Sequence, residues 1–411
     1  MKRAYPILFV LALLSFFTPT MQPFSAITGG VTTRWVMLAV IAAATLLPTP
    51  GRVTRCPREL LVMVGLFCLY ALISMAWSEN SRLTLYKAGA FTLVSFSFLV
   101  GGSRIAAWTT NPFFPLAPMY IFAVGSSLVA LVLRPETAYG GQWFQGYVYG
   151  PNMLGSLIAC SAPWMITQLR LSWSSRSMRT AALAGAAAGI GILLMSRSRA
   201  SMAMSLVMST FVLLGLRLER RLMLVCLAAV AVVAIVAYYP AVTASTTQMF
   251  AYKGSSTLLA TREEAYAVSL DMARMGGVHG VGFGISSGDS AGWSGQVSSV
   301  AFSREKGNAL LAVWEELGVA GVWFYVGLNF IIWQAIWRSR RWFFRDDPRR
   351  HYLFLGGGYA VGALVMLMFE AWFTSPGSPE SAAFWAVLGL TFGALSEMPR
   401  DGRALTWPQA A

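Results

Sequence analysis

Histidine occurs only twice in this chain, at His279 and His351, and cysteine four times, at Cys56, Cys68, Cys160 and Cys226. Three of the cysteines lie inside apolar runs and Cys56 lies in a basic loop, so the chain carries neither a disulfide framework nor a metal-ligand spacing. Charge is scarce as well: 12% of the 411 residues are charged against 56% hydrophobic, and mean hydropathy is positive. That composition excludes an ordinary soluble domain. The charge that is present is strongly basic, with a formal net of +14. It sits in short clusters between apolar runs rather than on one face of a soluble domain, which argues against a nucleic-acid partner and for membrane topology.

What the chain does have is a succession of apolar runs. A span needs about 20 such residues, and twelve candidates lie near 5–18, 34–48, 60–77, 85–101, 115–133, 152–169, 180–195, 202–216, 222–239, 309–337, 352–373 and 381–396. The expected fold class is therefore all-α, a polytopic integral membrane protein with about 12 transmembrane helices. Met1-Lys2-Arg3 with the apolar run to Phe17 has the form of a secretory signal, but no cleavage site is evident, so it reads as an uncleaved first helix.

Cytoplasmic loops hold the excess of lysine and arginine. With the N-terminus inside, the inner segments carry Lys2 and Arg3; Arg52, Arg55 and Arg58; Arg104; Arg170, Arg176 and Arg179; Arg217, Arg220 and Arg221; the six arginines from Arg338 to Arg350; and Arg400 and Arg403. These are 20 of the 31 basic residues, and the other 11 share the outer side with 11 of the 17 acidic ones. This distribution predicts cytoplasmic termini, an N-terminal membrane bundle over 1–238 of about nine helices, and a large periplasmic loop over 239–308. A C-terminal bundle of about three helices with a short cytoplasmic tail then occupies 309–411.

Some outer charges break the topological pattern. Ser196-Arg197-Ser198-Arg199 places two arginines in a very short outer connection, and Arg82 and Lys87 stand at the outer end of the fourth span. A charge at the bilayer centre costs roughly 3 kcal/mol on insertion scales. Snorkelling to water is enough for Arg82. The adjacent pair of arginines repel each other unless an anion neutralises them.

The loop 239–308 offers further polar groups. Thr261 reads as the cap of a helix with Glu263 and Glu264 in its first turn. At helical spacing Arg262, Tyr266, Ser269 and Ala273 share one face and Asp271 faces away. That face suits a phosphorylated ligand, or else belongs to a solvated helix whose Arg262 pairs with Glu264. Gly276-Gly277 and Gly280-Val281-Gly282-Phe283-Gly284 mark a turn where backbone can approach another group closely. With no strand before it and no Lys-Ser/Thr after it, the run reads as a structural turn rather than a phosphate loop. His279 is either a base or a surface residue, and His351 sits idle on the basic inner side. Glu305-Lys306-Gly307-Asn308 leads into a helix on which Asn308, Ala312 and Glu315 align, with Glu316 about 80° round. Carboxylates at the mouth of a membrane helix need partners. Glu315, Glu316 and Glu370, the last in the eleventh span, would form a polar outer cavity if paired with Arg197, Arg199 or Arg262.

These residues together resemble the O-antigen polymerase and O-antigen ligase superfamily. Pro151-Asn152-Met153-Leu154-Gly155 is similar to that family's Pro-Asn-x-x-Gly helix start, and Ser196-Arg197-Ser198-Arg199 to its short Ser-Arg outer loop. Thr261-Arg262 with Gly280 to Gly284 resembles its large-loop arginine and glycine motif, and Asn308 with Glu316-Leu317-Gly318-Val319-Ala320-Gly321 its asparagine-led helix and Glu-x-Gly-x-x-Gly. The chain departs from the pattern at Gly307, where the family commonly has histidine as its proposed general base. The departure tilts the reading from ligase towards an exopolysaccharide polymerase branch.

The resemblance implies a GT-C-like multispan fold and a glycosyltransferase on the outer face of the bacterial inner membrane. Such an enzyme moves a glycan from undecaprenyl pyrophosphate to a sugar hydroxyl with no metal or other cofactor. It further implies membrane lipids, a polysaccharide flippase and a chain-length regulator as partners. Arg197, Arg199 and Arg262 would hold the pyrophosphate, since the guanidinium fork suits phosphate and stays protonated. Glu305, Lys306, Asn308 and Glu316 would serve the chemistry at the acceptor. A lipid-linked oligosaccharide transporter would place charges in both halves at the midplane, and a non-catalytic assembly scaffold would tolerate loss of the outer arginines.

Overall fold

The computed structural model describes residues 4–17, 30–46, 56–78, 80–106, 111–140, 143–172, 175–215, 260–286, 306–342 and 348–396, and of Arg262 it describes the backbone alone. The candidate span 222–239, Glu305, Cys226 and most of the expected loop lie outside the described residues. Elsewhere each apolar run forms a helix: α1 Ala4–Phe17, α2 Gly30–Leu46, α3 Arg58–Ile73, α4 Ser81–Ile105, α5 Ala117–Leu133, α6 Pro151–Leu171, α7 Arg176–Ser196 and α8 Arg199–Gly215. After these come α9 Ala260–Gly276, α10 Ala309–Arg338, α11 Pro348–Leu367 and α12 Pro379–Ser396. Helix α9 is the one expected to open near Thr261. A one-turn helix Pro135–Ala138 and a two-stranded antiparallel hairpin, β1 Tyr139–Gly140 and β2 Trp143–Phe144, lie between α5 and α6.

Five helical stretches, Arg58–Ala76, Ser81–Ile105, Phe114–Leu133, Arg176–Ser196 and Ala309–Arg338, are long and apolar enough to cross a membrane. Tyr5–Phe17, Arg34–Ala44 and Arg199–Gly215 are shorter apolar stretches. Apolar residues on α3, α5, α7 and α10 are widely exposed, among them Val132 and Trp323. That is the surface a helix turns towards lipid, where hydrocarbon supplies the apolar surroundings.

Helix α12 is the axis of the bundle, with every residue from Pro379 to Leu395 buried. Apolar chains gain little by leaving lipid for another apolar surface, so helices in a membrane associate by close packing over small residues. The crossing of α12 with α4 follows that rule: at Gly102 a Cβ would lie 2.9 Å from the Ala386 carbonyl oxygen. Helix α11 meets α8 in the same way, where a Cβ at Gly362 would come within 2.7 Å of the Met204 carbonyl oxygen.

At one end of the bundle, the connection from α11 to α12 dips inward. Phe373, 2% exposed, lies edge-on to Tyr325 at 5.0 Å and to Phe67 and Phe91 at 5.7 Å each. Phe283, from the glycine run after α9, packs tilted against the same Phe91 at 5.4 Å and is fully buried. Arg34 donates to the Gly377 carbonyl at 2.7 Å and steadies the connection from the α2 side. Glu370 lies in this connection rather than inside a span, because α11 ends at Leu367. Its amide donates to the Met366 carbonyl at 3.0 Å, a turn that closes the helix.

The two aromatic plugs tie both connections to the core, so truncating one should loosen that whole end. Phe283→Ala is expected to lower stability by about 3–5 kcal/mol, seen as a reduced melting midpoint of detergent-purified protein; an unchanged midpoint would refute the role given to Phe283.

Candidate functional site

Helix α10 is not continuous. Gly318 has φ 68° and ψ −168°, which breaks the helix one turn after Glu315 and Glu316. A break within a helix leaves amides and carbonyls without intrahelical partners, and in apolar surroundings each unmet group is costly. The glycine run meets them. Val281 and Gly282 donate their amides to the Glu315 and Glu316 carbonyls at 3.0 and 2.9 Å. The Val319 and Ala320 amides donate to the Gly277 and Val278 carbonyls at 3.2 and 3.3 Å. Gly318 needs its positive φ, and Gly280, at φ 76°, lies so close to the Glu316 backbone that a side chain would overlap it. The glycine run is thus a structural turn, as its sequence suggests, and the partner of a broken helix.

Above the break, charges are buried together. Lys306 donates to Glu316 Oε1 at 2.6 Å and to the Ile285 carbonyl at 3.1 Å, and lies 3.6 Å from Glu315 Oε2. Glu316 also accepts from the Gly284 amide at 2.8 Å and from Thr374 at 3.2 Å. Lys87, itself 8% exposed, reaches down from α4 to donate to the Gly284 carbonyl and lies within electrostatic reach of Glu316. Two lysines and two glutamates therefore balance formally in one pocket, with Glu315 fully buried and Glu316 3% exposed. Glu315 and Glu316 thus close on Lys306, while the side chain of Arg262, one of their expected partners, lies outside the described residues. Sequence reading had not joined Lys87 to this group, although a lone lysine inside an apolar run is the signal that marks it.

Asn308 is the N-cap of α10. Its Oδ1 accepts from the Leu310 and Leu311 amides at 2.7 and 3.3 Å, and its Nδ2 donates to the Met368 carbonyl at 3.1 Å. The same carbonyl accepts from Tyr266 of α9 at 2.5 Å. Ser269 and Ala273 are buried while Asp271 is exposed and pairs with Arg274 at 3.4 Å, so the face expected on α9 is the packed one. Position 262 lies one helical turn before Tyr266. His279 is exposed; its carbonyl accepts from the Trp77 indole at 3.1 Å, and its ring lies edge-on to Trp77. At the opposite end His351 is buried beside Thr167 at 3.3 Å.

The Ser-Arg turn lies between α7 and α8. Arg197 closes α7 in the left-handed conformation at φ 52°, and its guanidinium stacks 4.3 Å above the Trp143 ring of the hairpin. Ser198 is buried, and its hydroxyl bonds that of Ser201 at 2.8 Å. Gly155, at the end of the Pro-Asn-x-x-Gly start of α6, makes room for this turn: a Cβ there would lie 2.5 Å from Ser198 Cβ. Arg199 is the first residue of α8 and half-buried. A cation at a helix N-terminus opposes the helix dipole unless an anion joins it.

The fold and its charged end define a helical membrane protein with a polar site at one end of the bundle. Within it, residues 184–326 match a family model described as O-antigen ligase. The match runs from α7 into α10 and contains the Ser-Arg turn, position 262, the glycine run and the Gly318 break. It supports placement in the O-antigen ligase and polymerase superfamily over that stretch. No curated protein matches the chain.

Removing one partner of a buried ion pair typically costs about 3–5 kcal/mol. Lys306→Met is expected to lower the melting midpoint sharply, and adding Glu316→Gln should recover part of the loss. Equal midpoints for the single variant and wild type would contradict the ionic closure. Gly318→Ala should lower the midpoint too, because the added methyl meets the Val278 carbonyl; a normal midpoint would remove the need for a broken turn.

Proposed function

We propose that this chain is a glycosyltransferase of the outer face of the bacterial inner membrane. It polymerises undecaprenyl-pyrophosphate-linked repeat units into exopolysaccharide or O-antigen, with both chain termini in the cytoplasm. The observation that carries this reading is the family match over the stretch that contains the arginine turn, position 262, Lys306, Glu315 and Glu316. The gathering at one bundle end of Arg199, α9 and the Asn308 cap is consistent with it.

In this reading Arg199 and Arg262, aided by Arg197, neutralise the leaving pyrophosphate. Fixed cations do so without reorganising as charge develops, which lowers the barrier more than mobile water can. Arg199 opens α8, so an anion there meets its charge and the positive end of the helix dipole at once. Lys306, Asn308 and Glu316 serve the site by holding its shape: the first and last join the glycine run to the broken helix, and Asn308 ties α10 to the α11–α12 connection. A flippase, a chain-length regulator and the surrounding lipids complete the setting in which such an enzyme works. An O-antigen ligase passing the glycan to lipid A core is the second reading, favoured by the description of the matching family.

Purified protein given a lipid-pyrophosphate-linked repeat unit should produce a ladder of sizes on a gel. Arg199→Ala and Arg262→Ala are each expected to abolish it while leaving the melting midpoint unchanged. Transfer only when lipid A core is added would favour the ligase, and a normal ladder from both variants would overturn the pyrophosphate clamp.

A further inference from the structure

Helix α9 lies on the bundle along a single stripe. Its positions 262, 266, 269, 273 and 276 recur every three or four residues and so share one face. Four of them are fixed to neighbouring elements. Gly276 lies so close to α10 that a Cβ there would stand 2.7 Å from the Glu315 carbonyl oxygen. Ala273 is fully buried, and the Ser269 hydroxyl accepts from the Gly307 amide at 3.4 Å. Tyr266 donates to the Met368 carbonyl at 2.5 Å. The opposite face, with Val268, Asp271, Arg274 and Met275, is exposed.

These anchors run in order from the break in α10, past its N-terminus, to the end of α11. Position 262 is the next on the stripe, about 6 Å further along the axis at ~1.5 Å per residue. Among the described side chains, Tyr266 is the anchor nearest to it. Capping of α11 does not by itself account for the tyrosine. The Met368 carbonyl, just past the last residue of α11, already accepts from Asn308 at 3.1 Å, which satisfies that helix end. A carbonyl oxygen has a second lone pair, and the hydroxyl that uses it ties down the opening turns of α9.

We propose that Tyr266 is a positioning residue for Arg262, its hydrogen bond to the α11–α12 connection holding the start of α9 where the arginine meets the pyrophosphate of the donor. The assignment rests on the glycan transfer proposed above, in which Arg262 belongs to the clamp. Fixed cations stabilise a leaving group only while they are held in place as its charge develops. A misplacement of about 1 Å caused far from the chemistry lowers a rate by up to ~100-fold. Without the hydroxyl, α9 remains attached through Ser269, Ala273 and Gly276, and the end that carries Arg262 is released.

The test uses full-length Tyr266→Phe in detergent with the lipid-pyrophosphate-linked repeat unit, a change that removes the hydroxyl and keeps the ring. Glycan transfer should fall about 10- to 100-fold, with the melting midpoint kept. Binding of inorganic pyrophosphate, followed by calorimetry, separates positioning from a merely structural bond. Tyr266→Phe and Arg262→Ala should each weaken it, and the double variant should bind no more weakly than Arg262→Ala alone, because the hydroxyl acts through the arginine. Should Tyr266→Phe not survive purification, Ser269→Ala, which loosens the next anchor, carries the same cycle. Transfer at the wild-type rate by Tyr266→Phe overturns the proposal, as do losses of pyrophosphate affinity that add in the double variant. Wild-type protein that transfers no glycan, either to a second repeat unit or to lipid A core, overturns the glycan-transfer reading itself.

Discussion

The break at Gly318 is the constraint on which this end of the molecule depends. A helix broken in apolar surroundings exposes backbone groups that neither lipid nor apolar side chains can satisfy. Here the glycine run after α9 meets the Glu315 and Glu316 carbonyls and the Val319 and Ala320 amides, Tyr70 of α3 donates to the Leu317 carbonyl, and the ionic closure of Lys306 on Glu316 clamps the joint from above. Each half needs the other. Without the break the carbonyls of Glu315 and Glu316 would be spent within the helix, and without the glycine run the break would leave them bare.

From that joint the neighbouring elements take their places. Phe283, between two glycines of the run, enters the aromatic cluster around Phe91 of α4, which in turn meets Trp385 of α12. Phe373 enters from the other side, so the α11–α12 connection and the glycine run share one anchorage. Asn308 and Tyr266 then meet on a single carbonyl of that connection. A polar site at a membrane boundary gains rigidity this way, since its loops are tied to packed helices rather than to water.

Much of the architecture was legible because membrane helices obey a simple length and hydropathy rule. Eleven of the candidate spans coincide with a described helix, and the start of α10 just after Asn308 was legible from the apolar run that follows it. That Tyr266, Ser269 and Ala273 share one face of α9 was legible from their spacing, but that this face is packed was not. The end of α11 was not: residues 368 to 373 are apolar enough to prolong the helix, and only the burial of Phe373 in the aromatic cluster favours a turn there. That is why Glu370 belongs to a connection.

By itself, then, the sequence determined a helical membrane protein with its positive excess segregated between apolar runs, and it carried the arginine, glycine and Glu-x-Gly-x-x-Gly motifs in an order that a family model matches. These are local properties, set by composition over a turn or a span. Which charges close on which was decided by the tertiary structure alone. Lys87, Lys306, Glu315 and Glu316 come from α4, from the entry to α10 and from α10 itself, and they meet because a buried charge must find its opposite wherever the packed helices bring one within reach.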